Sequence, residues 1–152
     1  MTVAVAVRRP WGVALASDSL IAAGDLRGPE YGRKLFRVGT NGVAGAGLWR
    51  TIQRAQESLP QTLAFGDLMG LLREMRHAEW LVTDGARIVC VGGGSYTNVD
   101  GYGAIGSGSG VALGALHATG SPTAAVKAAA HHVASCGGAV QRMRVRAAHT
   151  NL

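Results

Sequence analysis

The sequence predicts an α+β domain in which two antiparallel sheets lie between helical layers. Three observations predict it. Residues up to 46 carry only strand patterns, the hydrophobic period then lengthens to that of a helix over residues 48–75, and strand signals return over residues 79–105. Two small-residue helices and one last strand complete the order, so that strands and helices come in blocks.

Each element has its own signal. Valine stands at positions 3, 5 and 7, and after Arg8-Arg9-Pro10 the segment 11–16 supplies the second arm of a hairpin. A polar, glycine-containing loop is expected over 24–32, followed by strands at 34–38 and 43–46 around a turn at 39–42. Leu48, Ile52, Ala55 and Leu59, then Leu68, Leu71, Leu72 and Met75, recur at helical spacing and give two amphipathic helices joined near Pro60. Residues 79–83 and 87–91 read as a hairpin turning at Asp84-Gly85. A strand at about 102–105 runs into the glycine-rich segment 106–110 and a helix through residue 118. Ser121 as N-cap with Pro122 at the first helical position opens a further helix to about residue 134, and 140–146 is the final strand. No internal repeat or low-complexity linker interrupts this order, so residues 1–152 are expected to form a single domain.

Composition narrows the function. The chain has 152 residues, a net charge of +6, 47% hydrophobic residues and only 16% charged ones. A disordered tail needs the opposite balance, and at this length about two thirds of the unfolded surface can be buried. Apolar stretches are short and broken by Gly and Arg, whereas a spanning helix needs about twenty residues. Arg8 and Arg9 follow the short apolar run 3–7 instead of preceding it, the reverse of a secretory signal, and the chain opens directly on strand signals. A cytoplasmic protein with no leader and no membrane segment is expected. Cys90 and Cys136 make no disulfide framework and no metal-ligand spacing, so they read as packed thiols, and no metal or other cofactor is expected.

The first chemical candidate is Thr2. Removal of Met1 places a hydroxyl and a free amine on one residue, and an α-amine that titrates near 7.7–8.0 is neutral often enough at pH 7 to take the hydroxyl proton. Met-Thr also begins many proteins without catalytic meaning, but a residue at the onset of a strand is fixed in space as a loose terminus is not. Asp18 follows the second strand, and Lys34, one of two lysines beside thirteen arginines, heads the next strand group. A compact ammonium with a movable pKa, held by a carboxylate, would lower the pKa of a nearby hydroxyl. Singly, Asp18 also reads as a turn residue and Lys34 as a surface charge.

Asp18 stands sixteen residues after Thr2 and Lys34 thirty-two after it. Together with Lys34-Leu35-Phe36-Arg37-Val38, Ala46-Gly47-Leu48 and Ile105-Gly106-Ser107-Gly108-Ser109, this spacing resembles the β-type proteasome subunits and the peptidase of the bacterial ATP-dependent two-component protease, both N-terminal nucleophile hydrolases. The resemblance extends over nearly the whole chain. It implies a four-layer αββα sandwich and a threonine endopeptidase that cleaves unfolded proteins. Thr2 would be the nucleophile with its own amine as proton acceptor, Lys34 would tune the hydroxyl and Asp18 would orient Lys34. The backbone N–H of Gly47 would stabilise the oxyanion, and Ser107 would help to move the proton of the amine. Ser107 also reads as part of a helix entry that satisfies backbone N–H groups. Ile21, Gly45 and Trp49 would line an apolar first specificity pocket left deep by Gly45, although Trp49 reads equally as packing for the first helix. The implied partners are further copies of the chain in stacked hexameric or heptameric rings, and an ATP-driven unfoldase.

The family pattern is broken in one place. An Asp and a Ser usually precede the last Gly-Gly, whereas Val133-Ala134-Ser135-Cys136 precede Gly137-Gly138 here, with Cys136 at the serine position and no carboxylate. His131 and His132 are close by, but adjacent helical positions diverge by about 100° and both read as core or surface packing. The turn between Val38 and Val43 is also short for the family, and the short segment after the last strand resembles the bacterial peptidase more than the archaeal subunits.

The rival readings are a catalytically weakened or inactive proteasome-like shell and a small-amide hydrolase on the same fold. An isoelectric point near 10.2 allows nucleic-acid binding. That reading ranks last, because the arginines are scattered and the one ordered stripe, Arg142, Arg144 and Arg146, has no interleaved aromatics and also serves to block edge pairing. Residues 106–110 lack the Lys-Ser/Thr ending of a phosphate loop, and no Gly-x-Ser-x-Gly elbow is present.

Overall fold

The computed structural model describes residues 2–22 and 30–148. Along the chain the strands are β1 (Ala4–Arg9), β2 (Gly12–Ser17), β3 (Leu20–Ala22), β4 (Glu30–Tyr31), β5 (Leu35–Val38) and β6 (Asn41–Gly47). Helices α1 (Trp49–Ser58) and α2 (Phe65–Glu74) follow, then β7 (Ala78–Thr83), β8 (Ile88–Gly92), β9 (Ser95–Val99) and β10 (Tyr102–Ile105). Helices α3 (Ser109–Thr119) and α4 (Pro122–His132) precede the last strand, β11 (Gln141–Arg146).

Two antiparallel sheets carry the architecture. One has the order β10-β1-β2-β11, and the other is a meander, β5-β6-β7-β8-β9. The period of two along β1 decides where each sheet packs. Ala4 and Ala6, with Val13, Leu15, Met143 and Val145, meet Leu35, Ala44, Ala46 and Leu81 in a core shared by the sheets. Val3, Val5 and Val7 point the other way, onto Ala112 and Leu116 of α3 and Ala125, Val126 and Ala129 of α4. Val43, Trp80, Val82, Val89 and Val91 pack the outer side of the five-stranded sheet against Ile52, Ala55, Leu68 and Leu72 of α1 and α2. Both sheets therefore bear helices on the faces turned away from each other.

Most expected elements are present, shifted by a residue or two at their ends. The Ser121 hydroxyl accepts the N–H of Ala124 at 3.1 Å and caps α4, as its sequence signal requires. Other features differ for identifiable reasons. The strand β9 was not expected, since Ser95-Tyr96-Thr97-Asn98 is exposed on both faces and carries no alternation. The connection from β7 to β8 uses four residues, one more than the expected strand bounds leave: Thr83 pairs with Ile88, and Asp84 Oδ1 accepts the N–H groups of Ala86 and Arg87 at 2.9 and 2.8 Å. Leu48 and Leu71 belong to the helical stripes but are exposed. Of the loop expected over 24–32, residues 24–29 lie outside the described residues, while Glu30 and Tyr31 pair with β3. No helix among the described residues is long and apolar enough to cross a membrane.

Candidate active site

Thr2 continues the alternation of β1 on the side of Ala4 and Ala6, towards the other sheet. Its side chain is 1% exposed, and Oγ1 has no hydrogen-bond partner among the described residues. Beside it lies a cavity of about 370 Å³ at the rim of the inter-sheet core, lined by Thr2, Gly47, Gly106 and Ser107 and, from β7 and the residue before it, by Glu79 and His77.

The β1–β2 hairpin returns the chain so that Asp18 lies alongside Val3, donating its N–H to the Val3 carbonyl at 3.1 Å. Asp18 Oδ1 accepts the Val3 N–H, the peptide that joins Thr2 to Val3, at 3.2 Å, and also accepts Lys34 Nζ at 2.8 Å. Asp18 Oδ2 accepts the Gly137 N–H at 3.0 Å. One carboxylate thus ties the start of β1, the head of β5 and the segment before β11 together. Lys34 is as deeply buried, 2% exposed, and Nζ also donates to the Leu20 carbonyl at 2.6 Å. Burial lowers the pKa of Lys34, and the hydrogen bond and charge of Asp18 oppose that fall. Gln141 fixes the lysine's main chain: Oε1 accepts the Lys34 N–H and Nε2 donates to the Gly32 carbonyl, both at 2.8 Å.

Two glycines shape the cavity. Gly47, at the junction of β6 and α1, has φ of 124°, and a Cβ there would overlap the His77 carbonyl oxygen. Gly106 has φ of 93°, and a Cβ there would overlap the Thr2 carbonyl oxygen. That same Thr2 oxygen accepts the Gly108 N–H at 3.3 Å and the Ser107 hydroxyl at 3.4 Å. Ser107 Oγ lies 2.8 Å from Ser135 Oγ and 3.9 Å from Cys136 Sγ. The structure therefore gathers Thr2, Gly47 and Ser107 at one cavity and places the Asp18–Lys34 pair on the adjoining peptide.

No protein-family model and no curated protein matches the sequence. Among solved structures, the chain is similar to Thiobacillus denitrificans BPH, a bacterial proteasome homologue. BPH in complex with epoxomicin superposes with a TM-score of 0.76 and 25% identity over 94% of this chain and 98% of that one. A second structure of BPH gives 0.74 and 23%, with the same coverage. The chain has a proteasome-like fold.

Within this proteasome-like fold, Ile21 and Trp49 come together at Gly32, where a Cβ would lie 2.5 Å from Ile21 Cδ1 and 2.7 Å from the Trp49 ring. Gly45 does not deepen that contact. A Cβ on Gly45 would lie 2.8 Å from the Trp80 ring and 3.1 Å from Ile52, so the room left by the missing side chain is filled by indole. Cys136 is 4% exposed, and burial, with the Asp18 charge, pushes its thiol pKa up. His131 and His132 are both exposed at the end of α4, their rings edge to face 4.7 Å apart.

Two residues at the cavity escaped the sequence reading. Glu79 Oε1 accepts the Gly106 N–H at 3.0 Å, bracing the turn that abuts Thr2. Its signal was available: Glu79 shares a strand face with Leu81, the face turned to the inter-sheet core, where a carboxylate is out of pattern. His77, with φ of 68°, is the one non-glycine residue with positive φ among the described residues. Nothing local in the sequence marks it.

Proposed function

We propose that the chain is the catalytic subunit of a threonine-type, self-compartmentalising protease with the four-layer arrangement of the N-terminal nucleophile hydrolases. The observation that carries this reading is the Thr2 hydroxyl, buried and unpartnered at the wall of a cavity, one peptide away from a buried Lys34–Asp18 pair. Leaving such a hydroxyl unpaired costs about 1–3 kcal/mol, which a reacting group recovers when substrate arrives. The complex of BPH with epoxomicin supports the same reading.

The chemistry follows from the placement. Met1 lies outside the described residues, and its removal would free the Thr2 amine. That amine takes the hydroxyl proton as Oγ1 attacks the substrate carbonyl, forming the C–O bond while the carbonyl electron pair moves to oxygen. The Gly47 N–H faces that oxyanion, an interaction whose loss costs roughly 2.7–4 kcal/mol in other hydrolases. The amine then returns its proton to the leaving nitrogen as the C–N bond breaks, and water resolves the acyl-enzyme by the same path. The charge of Lys34, oriented by Asp18, favours the ionised hydroxyl, and Ser107 passes protons near the amine. Enclosure of Thr2 in a hexameric or heptameric ring, stacked face to face and supplied by an ATP-driven unfoldase, would keep it from folded cytoplasmic proteins. Ile21 and Trp49 supply an apolar contact for the residue preceding the cleaved bond, without the depth that Gly45 was expected to add.

A weakened shell subunit is the second reading, favoured by the neutral, buried Cys136 where the family carries serine and by the lack of a carboxylate in residues 133–136. Thr2→Ala separates the two. Loss of peptide cleavage with the assembly intact by light scattering is the expected result, and unchanged cleavage would exclude Thr2 as nucleophile.

A further inference from the structure

A larger cavity, of about 540 Å³, adjoins the one at Thr2. It lies between the C-terminal end of α2, the connection into β7 and the glycine turn from β8 to β9, and its polar side chains are those of Arg73, Glu74, Arg76 and His77. His77 and Ala78 line both cavities, which sets the two beside the same short stretch of chain. The connection is held in place: the His77 carbonyl accepts the Leu48 N–H at 2.8 Å, and the Arg76 carbonyl accepts the Thr51 hydroxyl at 3.2 Å. His77 keeps its left-handed φ of 68° within this clamp, the kind of backbone strain that gathers at functional sites.

The two guanidinium groups differ. Arg73 is engaged, with Cζ 5.0 Å over the Tyr96 ring and Nε 3.7 Å from Glu74 Oε1. Arg76 is exposed and forms no ion pair among the described residues. Across from it, Cβ atoms on Gly93 and Gly94 would meet nothing within 4 Å, so that wall is bare backbone beside open space. Glu74 at this cavity and Glu79 at the next would repel a polyanion. A single carboxylate on an otherwise neutral chain meets a fork of donors instead.

We propose that this cavity is a substrate subsite that receives an Asp or Glu side chain of the polypeptide bound at Thr2, with Arg76 as its specificity-determining residue. The proposal rests on the peptidase reading above and deepens it by naming the substrate class: unfolded chains with an acidic residue a few positions from the cleaved bond.

Binding to the full-length Thr2→Ala protein tests it without requiring turnover. Fluorescent peptides of one neutral sequence are scanned with Asp, Gln or Lys at each position, and affinities are read by anisotropy. At one position Asp should bind about fivefold more tightly than Gln, and Lys more weakly, with the difference shrinking in high salt. Adding Arg76→Gln should erase that preference, and Arg76→Glu should reverse it in favour of Lys, a gain that a misfolded variant could not show. Equal binding of Asp and Gln at every position, or a preference that survives Arg76→Gln, overturns the subsite. Turnover of the same peptides by protein shown to begin at Thr2 separates the two claims. Cleavage blind to charge removes the subsite alone, and an Arg76-dependent binding preference without any cleavage removes the peptidase reading and leaves the carboxylate site standing.

Discussion

The Lys34 ammonium donates to Asp18 across 2.8 Å with both side chains closed to solvent, at 2% and 0% exposure. Removing one charge leaves the other buried without its counter-charge, which costs about 3–5 kcal/mol. Asp18→Asn should lose about that much in urea denaturation. The double variant Asp18→Asn/Lys34→Met, with neither charge, should recover part of the loss while remaining inactive. A single-variant loss under about 1 kcal/mol is what an exposed pair gives, and would contradict the buried geometry.

The same pair gives a pH signature. Burial holds Lys34 below its ordinary value of 10.5, so between the folded value and 10.5 the unfolded chain binds more protons than the folded one. Stability contributed by this site therefore rises with pH across that interval. Measured against the double variant, in which neither group titrates, the wild-type chain should gain stability as pH is raised towards 10.5. A difference that stays flat or falls would show that burial does not dominate the lysine.

Two glycines should respond in opposite directions. Gly106→Ala forces a side chain at φ of 93° into the Thr2 carbonyl oxygen, so stability should fall by about 1–3 kcal/mol and peptide cleavage should drop with it. Gly114 lies inside α3 with nothing within 4 Å of an added Cβ. Gly114→Ala should raise stability by about 0.4–1 kcal/mol. Thermal unfolding of the two variants decides both.

Cys136 should be a poor nucleophile in the folded chain. It is 4% exposed, and burial with the nearby Asp18 charge raises its thiol pKa, so the thiolate that alkylating reagents attack is scarce. Iodoacetamide at pH 8 should label Cys136 more than about tenfold more slowly in the native protein than in urea, as read by peptide mass mapping. Equal rates would place the thiol at the surface.

The place of Asp18 beside Thr2 follows from a short antiparallel connection, whereas that of Lys34, beyond β3 and β4, was legible only through the family spacing. A tight hairpin sets Ala4 opposite Ser17 and so delivers Asp18 to Val3. The other wall of the cavity was not legible in the same way. Glu79 arrives only because β7 pairs with β6 in a register that sets it opposite Ala46, after two intervening helices. Gly45 shows the limit of reading a missing side chain as space: its partner across the sheet is Trp80, which occupies that space. The strand β9 was hidden because both of its faces are exposed, which removes the alternation that reveals other strands.

The central claim, that Thr2 carries the reaction, meets its most direct test in intact-mass analysis. Protein produced in cells is first shown by mass to begin at Thr2, then incubated with a peptide epoxyketone, whose two electrophilic carbons suit a hydroxyl and an amine on one residue. The account predicts one adduct per chain, mapped to Thr2 and lost in Thr2→Ala. A chain that begins at Thr2 and remains unmodified would contradict it.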